Sequence, residues 1–106
     1  MRSALRAVLA AALLMGSVAA HAAGKTHAVR IEGMKFVPER VEVAAGDTIV
    51  WTNKDIVPHT VTAAEAKVES DELQTGKSFK LVARKKGEMS YICRLHPVMK
   101  AVIVVK

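Results

Sequence analysis

The chain has 106 residues, with 16 Lys and Arg against 10 Asp and Glu, which gives a formal net charge of +6. This length is enough for one small domain. A nucleic-acid-binding protein would carry a basic stripe within a recognisable module, but the only basic run, Arg84-Lys85-Lys86, precedes Gly87 as in a turn between strands. We therefore exclude a nucleic-acid partner, while the mildly basic balance still suits encounters with an acidic protein face.

The N-terminal segment has the composition of a secretory signal peptide. Arg2 and Arg6 precede a nine-residue apolar run, small residues follow, and Ala20-His21-Ala22 matches the A-x-A cleavage pattern. The apolar run is shorter than the roughly 20 residues that a membrane-spanning helix needs, which disfavours an uncleaved anchor. We predict that residues 1–23 are cleaved and that residues 24–106 form one periplasmic domain with no membrane span.

The remaining chain shows short apolar alternation with a period near two, which is typical of strands and not of helices. Turn residues separate these runs, and no apolar stripe in residues 63–77 is long enough for a helix. The last run is apolar on both faces, which favours a central position in a sheet. We predict an all-β antiparallel sandwich of about seven or eight strands, with the clearest of them at residues 29–31, 41–43, 48–52, 60–62, 78–82, 89–93 and 101–105.

A thiolate, an imidazole and a thioether lie close together near the C-terminus. Cys93 precedes His96 by three residues, and His96 precedes Met99 by three. As the only cysteine, Cys93 cannot form an internal disulfide, so in an exported protein it is a reactive liability, an intermolecular link or a ligand. Soft sulfur ligands beside imidazole suit copper, and one Cys, two His and a weak axial Met form the blue-copper set. This set lacks one histidine.

Two histidines of the mature chain remain as candidates for the missing ligand, because His21 belongs to the leader. His27 stands at the start of the first predicted strand, where a solvent-facing side chain is the simpler interpretation. His59 follows Pro58 at a junction between a loop and a strand. Loops gather at the two ends of a sandwich, so His59 can meet the loop that follows Cys93.

The residues now described resemble those of the cupredoxins, in particular the small plastocyanin and amicyanin branch. The resemblance covers nearly all of residues 24–106, and the C-terminal spacing Cys-x-x-His-x-x-Met is the compact form typical of amicyanin. The matching residues are Gly46-Asp47-Thr48-Ile49-Val50-Trp51-Thr52-Asn53, Asp55, Pro58-His59-Thr60-Val61, Ser70, Leu73, Gly76, Ser78, Phe79, Gly87, Tyr91, Cys93, His96, Pro97, Met99 and Lys100.

The resemblance implies a Greek-key sandwich that binds one mononuclear type 1 copper ion. His59, Cys93 and His96 would be the equatorial ligands, and Met99 would be the weak axial ligand. The implied function is one-electron transfer between Cu(II) and Cu(I) in a soluble exported protein, not enzymatic catalysis.

The resemblance also implies where redox partners dock. His96 would be the exposed ligand, at the centre of a small apolar patch suited to brief encounters. The residues expected to frame it are Val57, Pro58, Leu95, Pro97 and Val98. The expected partners are a dehydrogenase, a cytochrome or a copper reductase, and we expect a monomer.

Thr60 departs from the pattern of many family members, which carry Asn directly after the first histidine ligand. A hydroxyl offers one donor where an amide offers two. We therefore expect Thr60 to hold the Cys93 loop less firmly.

The sequence leaves three alternatives to copper-based electron transfer. A periplasmic copper carrier without electron transfer is the main alternative, although no open Met- or His-rich cluster is visible. Zinc in a Cys/His site is disfavoured by the thioether. An enzyme is disfavoured because such chemistry needs an open coordination position.

Overall fold

The computed structural model describes residues 24–106, so the predicted signal peptide over residues 1–23 lies outside the described residues. Within residues 24–106, nine strands form two sheets, with strand orders β2-β1-β4-β7 and β3-β9-β8-β5-β6. The described residues contain no helix that could span a membrane. The strands are β1 (Thr26–Ile31), β2 (Phe36–Val37), β3 (Arg40–Val43), β4 (Thr48–Asn53), β5 (Thr62–Ala63), β6 (Val68–Glu69), β7 (Ser78–Val82), β8 (Gly87–Cys93) and β9 (His96–Val105).

The predicted all-β sandwich and the central place of the last strand are confirmed, but two details of the prediction differ. Strands β1 and β4 pair in parallel, as do β3 and β9, so the sheets are mixed and not purely antiparallel. Alternation along a strand reports which face is buried and carries no information on the direction of its neighbour. The count exceeds seven or eight because two-residue strands such as β2 and β6 are too short to show any alternation.

Aromatic packing joins the two sheets at the centre of the core. Trp51 on β4 is fully buried, and its indole Nε1–H donates a hydrogen bond to the Tyr91 hydroxyl on β8 at 3.0 Å. The Phe36 and Tyr91 rings meet edge to face with centroids 4.7 Å apart. Burial raises the pKa of Tyr91 to about 12, so its hydroxyl stays uncharged in the core.

The parallel pairing of β1 and β4 determines where the loops meet. Ile31 at the end of β1 lies opposite Asn53 at the end of β4, so the two loops that follow leave the sheet at the same end. Cys93, the last residue of β8, is fully buried in the same core cluster. The turn at residues 44–47 precedes β4 and therefore lies at the opposite end of that sheet.

Asp47 joins the start of β1 to the turn at residues 44–47. Its carboxylate accepts hydrogen bonds from the backbone N–H of Lys25 and of Ala44, and it lies 2.9 Å from the His27 imidazole Nε2. The expectation that His27 faces solvent is therefore wrong in part: the side chain is half-buried and paired. The hydrogen bond from His27, supported by those from Ala44 and Lys25, lowers the pKa of Asp47 to about 2.

We expect Asp47 to make the domain sensitive to acid. Because its folded-state pKa is lowered from the unfolded value of about 3.9, its contribution is fully present above that value and is lost as pH falls towards about 2. Urea unfolding of the wild type at pH 5 and pH 2 should show this loss, and Asp47→Asn should remove part of it. Asp71→Asn, at an exposed acid, serves as the control, and an unchanged pH dependence in Asp47→Asn would refute the assignment.

Candidate metal centre

The structure brings His59, Cys93 and His96 together at the end of the sandwich where β1 and β4 terminate. Their potential ligand atoms all lie within 4.8 Å of one another. Cys93 Sγ lies 3.6 Å from Nδ1 of His59 and 3.6 Å from Nδ1 of His96. A metal with N and S ligands at about 2.0 and 2.3 Å in near-tetrahedral geometry would separate these atoms by about 3.6 Å. The three side chains therefore fit a single metal ion.

Burial divides the two histidines as the resemblance implies. His59 and Cys93 are fully buried, whereas His96 is half-buried. Met99 is buried on β9, three residues after His96. The donor set is thus closed to solvent on the side of His59 and reaches the surface only through the His96 imidazole.

Cys93 and His96 belong to a tight hairpin, with His96 and Met99 inside a strand and not on the short loop expected from the sequence. Strand β8 ends at Cys93, strand β9 begins at His96, and only Arg94 and Leu95 form the turn. Cys93 pairs with His96, but its neighbour Ile92 pairs with Lys100, so the register shifts at this point. Residues 97–99 therefore belong to β9 but have no paired residue on β8. Two-residue connections are the shortest common hairpin loops, and here the pairing of Cys93 with His96 places the thiol beside the imidazole.

Asn53 secures the loop that carries His59. Its buried amide donates to the backbone carbonyls of Val57 and Leu73, at 2.9 and 2.8 Å, and its side-chain oxygen accepts from the backbone N–H of Asp55. His59 itself exchanges two backbone hydrogen bonds with Leu73. The sequence alone gives Asn53 no role, because its partners Val57 and Leu73 lie in two separate loops.

Asp55 contacts the His59 ring from the side opposite Cys93. Asp55 Oδ2 lies 2.8 Å from His59 Nε2, and the carboxylate also accepts from the backbone N–H of Gly33 and of Met34. Burial raises the pKa of Asp55, but these hydrogen bonds from Met34, His59 and Gly33 outweigh it and lower the pKa overall. The sequence placed Asp55 in the family pattern without giving it a role.

Thr60 holds the Cys93 turn through both its backbone and its hydroxyl. The Thr60 N–H donates to Cys93 Sγ at 3.3 Å, and the Thr60 hydroxyl oxygen accepts from the Arg94 N–H at 2.8 Å. The same hydroxyl lies 2.9 Å from that of Thr62, which donates to Glu69, and Glu69 in turn accepts from the Arg94 guanidinium. These contacts give the Cys93 turn support beyond the Thr60 hydroxyl itself. That Thr60 holds the turn less firmly than an Asn would stays a prediction.

We expect Thr60→Ala to destabilise the metal-free domain by about 1–3 kcal/mol, because the N–H of Arg94 loses its acceptor in a partly buried position. Urea unfolding followed by tryptophan fluorescence measures the change. Thr26→Ala, at an exposed threonine that begins β1, is the control. A loss for Thr60→Ala no larger than that of the control would show that the hydroxyl does not support the turn.

The predicted docking residues are exposed to different degrees. Val98 is 87% exposed and Val57 is 37% exposed, Pro97 is exposed, and Pro58 and Leu95 are half-buried. Two further apolar side chains, Ile56 at 93% and Met34 at 43%, were not in the predicted set. Met34 and Ile56 stand in the two loops that the side chain of Asp55 joins by hydrogen bonds. The position of Ile56 directly before Val57 could have indicated from the sequence that it belongs to the same apolar patch.

Known proteins with similar sequences contain the same kind of domain. A family model described as a cupredoxin-like domain matches residues 5–105. Amicyanin-alpha of Methylorubrum extorquens is 35% identical over 89 residues, which cover 79% of this chain and 74% of that protein. The chloroplastic plastocyanin of Fritillaria agrestis is 34% identical over 76 residues, which cover 59% of this chain and 46% of the plastocyanin.

Solved structures show the same relationship. A Cu(I) form of an amicyanin point mutant superposes with a TM-score of 0.73 at 27% identity, covering 76% of this chain and 82% of the amicyanin. The copper-containing nitrite reductase of Thermus scotoductus superposes with a TM-score of 0.71 at 26% identity. That match covers 76% of this chain but only 22% of the enzyme, so the likeness is to a small part of the reductase.

Proposed function

This chain belongs to the cupredoxin-like domain family, and we propose that it carries single electrons by means of one type 1 copper ion. His59, Cys93 and His96 are the proposed equatorial ligands, with Met99 as the weak axial ligand. The observation that supports this most strongly is the cluster of one thiol and two imidazole nitrogens within 4.8 Å. A thiolate, two imidazoles and a distant thioether select copper over zinc.

Bound copper would supply the one-electron redox couple, and the surrounding residues suit it to that task. Burial of His59 and Cys93 excludes water, so few groups need to rearrange when the charge changes. The Thr60 N–H directed at Cys93 Sγ withdraws electron density from the thiolate, and hydrogen bonding to this sulfur is one determinant of the potential. The hairpin pairs Cys93 with His96 and holds the thiol 3.6 Å from the imidazole nitrogen.

His96 is the proposed point of electron entry and exit, and the protein is proposed not to be an enzyme. The half-buried ring of His96 is the most accessible of the three clustered ligands. The apolar residues Leu95 and Val98 stand near His96 in the sequence, and Val57 stands near His59. A small apolar patch suits transient contacts with a dehydrogenase, a cytochrome or a copper reductase. The closed donor set leaves no position for a substrate.

A monomer exported to the periplasm after removal of residues 1–23 completes the proposal. The sequence pattern of that segment supports it. A copper carrier without electron transfer is the competing function, and it would favour a more exposed donor set than this one.

Copper loading tests the proposal. Protein spanning residues 24–106 is titrated with Cu(II), and we expect one ion per chain, an intense blue colour and reversible one-electron voltammetry. Fast exchange with a small cytochrome would then distinguish an electron carrier from a copper carrier. A colourless or pale product at full stoichiometry would overturn the type 1 assignment.

A further inference from the structure

Asp55 is the one acidic side chain among the described residues that forms an ion pair with a proposed metal ligand. Its carboxylate lies 2.8 Å from His59 Nε2, and His59 is its only partner in those pairs. The side chain of Asp55 is 15% exposed, so water screens this contact only in part. The charge therefore acts on the buried ring more strongly than a surface charge would.

Several hydrogen bonds hold Asp55 in place independently of His59. Oδ1 accepts from Gly33 N–H at 2.8 Å and Oδ2 from Met34 N–H at 3.0 Å. The backbone of Asp55 donates to Asn53 Oδ1 and accepts from the Thr75 hydroxyl. A group restrained from so many sides can orient its neighbour, because its own rotation would break those contacts.

The direction of the contact determines which nitrogen of His59 carries the proton. A carboxylate accepts hydrogen bonds and does not donate them, so Nε2 must be the protonated nitrogen. In the neutral imidazole Nδ1 then keeps its lone pair, and it is Nδ1 that faces Cys93 Sγ at 3.6 Å. A carboxylate bonded to a ligating imidazole also raises the basicity of that ligand.

We propose that Asp55 is a positioning residue that fixes His59 in its Nε2-protonated form and favours Cu(II) over Cu(I) through its negative charge. This inference rests on the proposed copper site. A more basic ligand and a nearby negative charge both stabilise the more positive metal ion. Asp55 therefore lowers the reduction potential. The hydrogen bond from Thr60 to Cys93 acts in the opposite direction, because it withdraws electron density from the thiolate and so raises the potential.

The protonation of His59 can be tested without copper. Nitrogen-15 NMR of the metal-free wild type should show a protonated Nε2 and an unprotonated Nδ1 for His59. Asp55→Asn should weaken this preference, since an amide has one acceptor oxygen for the three N–H groups that the carboxylate now accepts. A wild-type protein with the proton on Nδ1 would overturn the proposal whether or not the variant folds.

The effect on the potential is tested in the copper-loaded protein. At a fixed applied potential, Asp55→Asn should raise the ratio of Cu(I) to Cu(II) at least tenfold, which corresponds to about 59 mV for one electron. Asp71→Asn removes an equal charge from an exposed position and should change the ratio much less. An equal shift in the two variants would overturn the role of Asp55. Failure of the wild type to form a blue site would instead overturn the proposed function, while leaving the NMR result valid.

Discussion

The Cys93→Ser variant is expected to lose the blue colour of the copper-loaded protein completely. Cys93 supplies the only thiol of the chain, and the colour of a type 1 site comes from charge transfer between thiolate and copper. A serine hydroxyl is a hard, neutral donor that suits copper poorly beside two imidazoles. The loss of copper affinity should exceed the roughly 10–100-fold effect of changing a group that only hydrogen-bonds a ligand. Visible absorption and a copper titration measure both effects.

Met99→Leu provides the matched control for Cys93→Ser. The replacement conserves volume in a buried position, and it removes the proposed weak ligand while leaving the thiolate intact. We expect this variant to stay blue with a changed potential. Retention of intense blue colour by Cys93→Ser, or equal loss of colour in both variants, would contradict the ligand roles assigned to Cys93 and Met99.

The Trp51→Ala variant is expected to lose about 3–5 kcal/mol of unfolding free energy, which is the usual cost of removing a large buried aromatic side chain. Trp51 is fully buried, contacts Tyr91 across the two sheets and donates the hydrogen bond to its hydroxyl. Because native domains are stabilised by only about 5–15 kcal/mol in total, this loss should remove a large part of the stability of the metal-free domain. Urea unfolding followed by circular dichroism measures the change.

Phe79→Ala is the control for Trp51→Ala. Phe79 lies on the adjacent strand β7 with its ring centroid 5.8 Å from that of Trp51, but it is only half-buried. Its removal should therefore cost clearly less. Equal losses of unfolding free energy in the two variants would show that Trp51 contributes no more than Phe79 to the packing between the sheets.

The fold class and the proximity of Cys93 and His96 were accessible from the sequence because each depends on a local pattern, whereas His59 was assigned only through the resemblance to the cupredoxins. Alternation in β4 from Thr48 to Asn53 reports its buried face directly. The spacing of Cys93 and His96 places a thiol and an imidazole within a few residues of each other, and the structure brings His59 to them. For Met99 the structure adds its burial, and the axial role stays a prediction.

Contacts between distant segments could not be predicted in the same way. Asp55 reaches Gly33 and Met34 across more than 20 residues, and nothing in either loop alone indicates this pairing. The same holds for Asp47 with His27, and for the parallel alignment of β1 with β4. The sharp hairpin at Arg94 and Leu95 was also missed, because the sequence Cys-Arg-Leu-His lacks the Gly or Asn that usually marks a two-residue turn.

The hydrogen bond from Lys25 to Asp47 fixes the start of the described domain at the end of the sandwich opposite the proposed metal ligands. Five residue steps of β1 separate Thr26 from Ile31, a distance of about 17 Å at the usual rise of a strand. A linker joined ahead of residue 24 therefore leaves the domain at the end away from His96. Immobilisation of the protein on an electrode or bead through such a linker should leave His96 turned outward. A linker joined after Lys106 should have the same effect, because the backbone N–H of Lys106 donates to Val43, next to the turn at residues 44–47. Both ends of the described domain, residues 24 and 106, thus offer tethering points away from His96.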